Sequence, residues 1–401
     1  MDEVPNCFLK EYAQYVFAPL CHMFNLSLSS ASFPACWKAG VIQPVYKKNG
    51  KSSLPQSYRP IALLSCVSKV FESFVREQLL KFCKDVGAIP DQQYGFLPKR
   101  STVWQLLAVL DDWEQALDEG RSVHAAFLDV SKAFDRVDHG LLLFKLCSTG
   151  VSGSSLQWFK DYLQNRQICT AVDGERSSLL PVSAGVPQGS VLGPMLFVVF
   201  FADLPAAFSS SSALYAGDTL AYNSSCGATR PGVAVPCCNL VGDLQALGRW
   251  SATLNTNFNA AKSAHMVIAK RHADSMTWSS VPELKLNSEV VPLRSEVHHL
   301  GMIITPDLQW STHLHDLLKR VSHRVYILKR LAYRLSSSLI VKRLYTAFLR
   351  PSLEYASVVW DSKCLRCDRI ALERVQLSIA RAILKWQRQS HSNAKTLQCI
   401  G

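Results

Sequence analysis

The segment AAFLDV, residues 125–130, and the segment ALYAGDTLAY, residues 213–222, decide the fold. The first is apolar at nearly every position, which predicts a strand that is buried on both faces of a sheet. The second has alternating apolar positions interrupted at Gly217-Asp218, which predicts a hairpin. An aspartate therefore stands at the end of the strand, Asp129, and another at the tip of the hairpin, Asp218.

Two carboxylates brought together at strand ends form a site that hard divalent cations prefer, because these ions take oxygen ligands. A pair of such ions, about 3.5–4 Å apart, stabilises the attacking and leaving oxygens of phosphoryl transfer. Taken singly, an aspartate at a strand end is more often a turn or cap residue. The two segments thus point to nucleotidyl transfer if their carboxylates converge.

Helices and strands surround these segments. Helical spacing predicts helices over residues 6–30, about 61–83, 102–117, 141–163 and 313–335, and alternation predicts a strand over 41–46 and a hairpin from 167 to 174. This order favours an α+β fold with a separate all-α C-terminal part. The length of 401 residues suits two or three subdomains.

The charge is concentrated near the C-terminus. Residues 311–390 carry 16 Lys and Arg against 5 Asp and Glu, a net +11 of the total +12. Such a basic block attracts polyanions, nucleic acid above all, although a solvated helical surface has the same composition. Both interpretations stay open at this point.

Other classes of protein are disfavoured. The acidic start, Met1-Asp2-Glu3, lacks the features of a signal peptide, and the apolar stretch 195–202 is far shorter than the roughly 20 residues of a membrane helix. Thirteen irregularly placed cysteines indicate free thiols, and Cys364 and Cys367 form a C-x-x-C without a second pair at zinc-finger spacing. We expect an intracellular protein, in the nucleus or cytoplasm, without a membrane partner.

The segment FLDVSKAFD, residues 127–135, resembles the first palm motif of non-LTR (LINE-type) reverse transcriptases, and AGVPQGSVLGP, residues 184–194, resembles the second. Further blocks resemble the family's fingers, fourth palm, primer-grip and thumb motifs in the family's order: YRPI at 58–61, QYGF at 93–96, NAAK at 259–262, HLG at 299–301, LEYA at 353–356 and VW at 359–360.

The resemblance covers nearly the whole chain and implies a right-hand polymerase fold. Fingers with N-terminal helices would span residues 1–115, a palm of antiparallel sheet backed by helices 116–310, and a basic helical thumb 311–401, with part of the fingers lying between the first two palm motifs. It implies an RNA-directed DNA polymerase that uses an RNA template, a DNA primer, dNTPs and two Mg²⁺ ions, with Mn²⁺ as a substitute. The family's endonuclease domain has no counterpart in the sequence.

The resemblance also assigns roles to single residues. Asp129, Asp218 and the backbone carbonyl of Val130 would hold metal, and Lys262 would protonate pyrophosphate. The remaining roles are nucleotide binding, for Lys47, Arg59, Phe134 as steric gate, Gln188 and Gly189, and template-primer binding, for Leu300, Gly301, Lys319, Arg320 and Arg324. Simpler alternatives are core packing for Phe134, a tight turn for Gln188-Gly189, and solvated surface charges for Lys47, Arg59 and Lys262.

One position departs from the family pattern. The third palm motif reads aromatic-Ala-Asp-Asp, whereas this chain has Tyr215-Ala216-Gly217-Asp218. Because successive strand residues face opposite sides, Asp218 does not replace a carboxylate at 217 unless the hairpin slips by one residue. We therefore expect polymerase activity to be severely reduced or lost.

Three functions follow from the sequence. The first is the reverse transcriptase itself. The second is a catalytically inactive remnant that still binds nucleic acid. An intron maturase or telomerase-like enzyme is the weakest, because residues 131–135 and 185–190 are LINE-like in detail.

Overall fold

A computed structural model describes residues 4–47, 50–130, 133–224, 238–270, 283–335 and 337–384. The helices are α1 Asn6–Glu11, α2 Ala13–Ser29, α3 Cys66–Asp85, α4 Thr102–Asp118, α5 His139–Ser148, α6 Gly153–Leu163, α7 Gly193–Phe200, α8 Cys238–Thr253, α9 Ser311–Arg334, α10 Ser338–Leu344, α11 Arg350–Leu353, α12 Ser357–Trp360 and α13 Arg366–Leu384. The strands are β1 Ala39–Tyr46, β2 Tyr58–Leu63, β3 Val123–Asp129, β4 Gln167–Val172, β5 Glu175–Arg176, β6 Leu180–Pro181, β7 Ser211–Tyr215, β8 Asp218–Ser224, β9 Ala264–Ile268, β10 Lys285–Leu286, β11 Glu289–Val290, β12 Val297–His299 and β13 Met302–Ile304.

The central sheet has four antiparallel strands in the order β7-β8-β3-β9. Alternate residues of β3 enter different apolar clusters. Ala126 and Leu128 pack with α5, α7 and α8, whereas Ala125 and Phe127 pack with α4 and the C-terminal helices. The strand is therefore covered on both sides, as its continuous apolar sequence predicts.

A second sheet, called the fingers sheet below because it lies in the region predicted as fingers, has the strand order β2-β1-β4-β5, with β6 beside β4. The predicted helix from about residue 61 is wrong at its start, because residues 58–63 form β2 and α3 begins at Cys66. Pro60 has no amide proton, and it is tolerated because β2 is the edge strand. Ser65 caps α3 by accepting a hydrogen bond from the Ser68 amide at 3.1 Å.

The other predicted elements are confirmed. Residues 6–30 form α1 and α2 with a break at Tyr12, residues 141–163 fall in α5 and α6, and the long basic helix is α9. Ser101 caps α4 through a hydrogen bond from the Trp104 amide at 3.2 Å. The glycine- and proline-containing sequence of residues 227–236 also predicts a surface loop, and this segment lies outside the described residues.

The C-terminal helices do not have a core of their own. Trp310 and Leu314, at the start of α9, belong to the same cluster as Trp113 of α4 and Phe127 of β3. The separate all-α part expected from the element order is therefore continuous with the central sheet. Across the described ranges, none of the helices combines the length and apolar character needed to cross a bilayer.

Candidate active site

The two predicted carboxylates come together. Asp129 is the last residue of β3 and Asp218 the first of β8, and the strands pair so that these residues are directly opposite. Opposite residues of an antiparallel pair share a face and have Cβ atoms about 4.5–5.5 Å apart. Burial, and then the neighbouring charge of Asp129, raise the pKa of the Asp218 carboxyl above its ordinary value. The two carboxylates therefore repel each other, and they are the residues of this site that could hold a cation.

The loop before β9 fixes Asp129 from the other side. The Asn259 amide donates to the Asp129 carbonyl at 2.9 Å, and the Asp129 amide donates to Ser263 Oγ at 3.3 Å. From the same loop, Lys262 Nζ lies 3.7 Å from Asp129 Oδ2, and both side chains are accessible to solvent. Lys262 is thus brought to the site, and its proposed proton transfer stays a prediction.

Gly217 completes a two-residue turn between β7 and β8. Its Cα is oriented so that an added Cβ would lie 3.3 Å from Ala133 Cβ and 3.9 Å from Val130 Cβ. A side chain at 217 would therefore point at the segment that follows Asp129. Asp218 keeps its register opposite Asp129 and does not occupy that place.

Phe134 lies next to this turn and is half-buried. Its ring stacks on Phe197 with centroids 4.4 Å apart, and it meets the edge of Phe96 at 5.7 Å. The packing alternative is therefore realised in the structure. The steric-gate role stays a prediction, because it requires the same ring to contact a bound sugar.

Gln188 and Gly189 join the palm to the fingers sheet. The Ala62 amide of β2 donates to the Gln188 carbonyl at 2.6 Å, and Gln188 Nε2 donates to Asp135 Oδ1 at 3.3 Å. Gly189 has φ +124°, and an added Cβ would lie 2.2 Å from the Ala62 carbonyl oxygen. Only glycine permits this approach of the two backbones.

Lys47 and Arg59 lie on the β1–β2 hairpin of the fingers sheet and are exposed. Lys47 Nζ donates to the Gln56 carbonyl at 2.8 Å. The hairpin reaches the palm through the Ala62–Gln188 hydrogen bond, so both cations are on the element that borders the predicted nucleotide site. Triphosphate binding by them stays a prediction.

The predicted primer-grip residues form the turn of the β12–β13 hairpin. Leu300 and Gly301 have φ of +47° and +81°, and Tyr355 Oη donates to the Leu300 carbonyl at 2.7 Å. The tyrosine of the predicted thumb motif thus holds this turn.

The three predicted thumb cations are exposed on α9. Arg320 Nε lies 2.6 Å from Asp316 Oδ2, and Arg324 donates to Ser352 Oγ at 3.0 Å. Within the described part of the chain Lys319 forms no ion pair, and binding of the template-primer by the three cations stays a prediction.

Sequence reasoning missed Glu72 of α3, which is fully buried. Its carboxylate accepts hydrogen bonds from the Val191 amide at 2.9 Å, the Leu192 amide at 3.1 Å and Ser68 Oγ at 2.9 Å. It therefore fixes the loop that carries Gln188 and Gly189 to the N-terminal end of α7. The only available signal was a glutamate on a helix face that is otherwise mostly apolar.

A family model described as reverse transcriptase (RNA-dependent DNA polymerase) matches residues 45–304. This range includes Asp129, Asp218 and the second-motif loop, residues 184–194, which resembles the second palm motif. The chain belongs to this reverse transcriptase family. The α+β fold and the resemblance to LINE-type reverse transcriptases, both predicted from the sequence, are confirmed by the structure and by the relatives that follow.

Curated relatives of the reverse transcriptase come from mobile elements of Drosophila melanogaster. This chain is 32% identical over 352 residues to the RNA-directed DNA polymerase from mobile element jockey, and the match covers 85% of this chain and 37% of the relative. It is 28% identical over 392 residues to the probable RNA-directed DNA polymerase from transposon X-element, covering 95% and 41%. The chain thus spans about two fifths of the length of these relatives.

Among solved structures, telomerase from Candida tropicalis in complex with a fragment of telomeric RNA matches with a TM-score of 0.48 at 10% identity. The match covers 96% of this chain and 67% of that one.

Proposed function

We propose that the chain is the RNA-directed DNA polymerase of a non-LTR retrotransposon, which adds dNTPs to a DNA primer on an RNA template, and that Gly217 impairs it. The observation that supports this proposal is the register of β3 and β8, which sets Asp129 directly opposite Asp218. Strand ends that present two carboxylates at one edge suit phosphoryl transfer, in which positioning and charge stabilisation supply most of the rate.

Magnesium is the expected cofactor, and the paired carboxylates fit its ligand preference. Mg²⁺ is commonly held by one or two carboxylates together with waters and substrate phosphates. Asp129 and Asp218 meet that requirement, and the raised pKa of the Asp218 carboxyl beside Asp129 supports the proposal, because a nearby cation would offset the repulsion. Within the described ranges no cluster of three or more His, Cys, Asp or Glu side chains is suited to a metal. When bound, the ion supplies Lewis-acid activation of phosphoryl oxygens.

The chain's own residues would do the remaining work. Lys262, beside Asp129, would donate a proton to the departing pyrophosphate. Gln188 and Gly189 would border the base pair being formed, and Lys47 and Arg59 would neutralise the triphosphate. Each of these groups lies on an element that contacts the palm edge directly or through the Ala62–Gln188 hydrogen bond.

Gly217 is the reason to expect weak turnover. A carboxylate at this position would add the third negative group of the site, directed at Val130 and Ala133. Loss of one group that stabilises transition-state charge costs about 10²–10³ in rate. Asp218 does not compensate, because its register opposite Asp129 is fixed by the paired strands.

Primer extension on an RNA template with Mg²⁺ tests the proposal, using the wild-type chain and Gly217→Asp. The φ of Gly217 is outside the left-handed region, and an added Cβ would require Ala133 to move by a few tenths of an ångström. We expect extension to rise by about 10² or more in Gly217→Asp. Gly217→Asn, with the same shape and no charge, is the matched control and should not gain.

Two further outcomes are informative. Robust extension by the wild-type chain would show that Gly217 does not impair the enzyme. Extension by Gly217→Asp that survives Asp129→Asn would show that the paired carboxylates are not the catalytic site.

The second candidate is an inactive remnant that binds nucleic acid. The exposed cations of α9 favour it, because phosphate contacts do not need the palm carboxylates. This candidate is favoured if neither the wild-type chain nor Gly217→Asp extends a primer while both bind an RNA–DNA duplex. The logarithm of the binding constant should then fall linearly with the logarithm of the salt concentration.

A further inference from the structure

The QYGF segment, residues 93–96, lies against the β7–β8 hairpin of the palm, although the sequence places this segment with the fingers. Residue 93 forms a parallel bridge with Leu214 of β7. The Tyr94 amide donates to the Leu214 carbonyl at 2.7 Å, and the Leu214 amide donates to the Gln92 carbonyl at 2.8 Å. The segment therefore pairs with the strand that leads into the turn at Ala216-Gly217.

The side chain of Gln93 continues this contact into the turn. It is 1% exposed, and its Oε1 accepts hydrogen bonds from the Gly95 amide at 2.8 Å and from the Ala216 amide at 3.1 Å. Ala216 has φ +57°, a left-handed conformation that an alanine adopts only when its surroundings impose it. One buried oxygen thus satisfies the amide of the first turn residue.

Gly95 permits the approach. An added Cβ at this glycine would lie 2.4 Å from the Ala216 nitrogen and 3.1 Å from the Tyr215 carbonyl carbon. Arg100 supports the segment from outside: its guanidinium donates to the Gln93 carbonyl at 2.7 Å and lies 5.5 Å from the centre of the Tyr94 ring. The segment is therefore anchored on both sides of Gln93.

We propose that Gln93 is a positioning residue for the palm turn, acting through Ala216 to set where the side chain of residue 217 and the Asp218 carboxylate stand relative to Asp129. This inference rests on the proposed polymerase function. Removal of the acceptor would leave the partly buried Ala216 amide without its partner and would release the turn from its strained conformation. Misplacement of a catalytic group by about 1 Å costs on the order of 10²-fold in rate.

The test uses three variants in the Gly217→Asp background. Gln93→Met keeps the length of the side chain and removes the acceptor, whereas Gln93→Glu keeps an oxygen that accepts both amides. Gln105→Met is the matched control: Gln105 is fully buried in α4, and its side-chain amide has no hydrogen-bond partner among the described residues.

The first measurement is primer extension with kcat and KM determined separately. We expect Gln93→Met to lower kcat by about tenfold or more with the KM for dNTP changed by less than about twofold, because the substrate site is intact and the turn is displaced. Gln93→Glu should recover most of the lost kcat, and Gln105→Met should keep it. Equal losses in Gln93→Met and Gln93→Glu, or no loss in Gln93→Met, would overturn the proposal.

The second measurement is independent of activity. Residue-resolved amide hydrogen exchange on the chain with native Gly217 should show faster exchange at Gly95 and Ala216 in Gln93→Met, and unchanged exchange in Gln105→Met. If Gly217→Asp fails to extend primers, the polymerase proposal fails while this exchange experiment still decides the role of Gln93. Unchanged exchange at Ala216 in Gln93→Met would refute it.

Discussion

Lowering the pH from 7.5 to 5.5 should destabilise the protein strongly, because four of the histidines in the described ranges are buried. His124, His265, His299 and His313 are each less than 10% exposed. Burial lowers the pKa of each imidazole to about 4, from an ordinary value of 6.5. The neighbouring charge of His124 adds to the effect on His265, whose Nε2 lies 3.3 Å from His124 Nδ1.

The sign of the effect follows from proton binding. The folded chain keeps these imidazoles neutral down to about pH 4, whereas the unfolded chain protonates them below about 6.5. Their contribution to stability is therefore complete above pH 6.5 and is lost as the pH falls towards 4. One unit below 6.5 the loss is about 1.4 kcal/mol per histidine, or about 5 kcal/mol for the four. This equals the whole stability of a marginal protein.

Urea unfolding followed by tryptophan fluorescence, at pH 7.5 and 5.5 and constant ionic strength, measures this loss. The window avoids most carboxylate titration, since ordinary carboxyl groups titrate near pH 4. His299→Leu, which removes one of the four imidazoles, should reduce the difference between the two pH values by about 1.4 kcal/mol. A free energy of unfolding that is the same at both pH values would refute the reasoning. So would a difference between the two pH values that is as large in His299→Leu as in the wild-type chain.

Three further substitutions have expected outcomes. Without metal at pH 7.5, Asp218→Asn should raise the free energy of unfolding by less than about 1 kcal/mol, because the site is partly solvated. The same variant should remove any rise in melting temperature on adding Mg²⁺. A loss of stability in Asp218→Asn would contradict the raised pKa of the Asp218 carboxyl. Gly189→Ala should cost about 2 kcal/mol or more in urea unfolding, because its φ of +124° and the Ala62 carbonyl leave no room for a methyl group. Ser101→Ala should cost about 1 kcal/mol in the same assay through loss of the α4 cap, and Ser101→Asp should restore it.

Local patterns predicted most elements because their causes are local. A strand that is apolar at every position has to be covered on both faces, and β3 is. The start of α3 was misplaced because Tyr58 to Leu63 pair with β1 over six residues, a long-range contact that overrides helical periodicity. The packing of the C-terminal helices escaped local patterns for a related reason: Trp310 and Leu314 are buried in the same apolar cluster as Phe127, which is far away in the chain.

The site divides in the same way. Sequence alone determined which residues are present at the family's motifs, including both aspartates and the glycine at 217, because residue identity and motif order need no coordinates. Only the tertiary structure decided that Asp129 stands opposite Asp218, that Gln93 holds Ala216, and that Glu72 fixes the second-motif loop. Alternation along a strand fixes which face a side chain takes but leaves open which distant residue it meets, since register and buried hydrogen bonds depend on how separate parts of the chain pack.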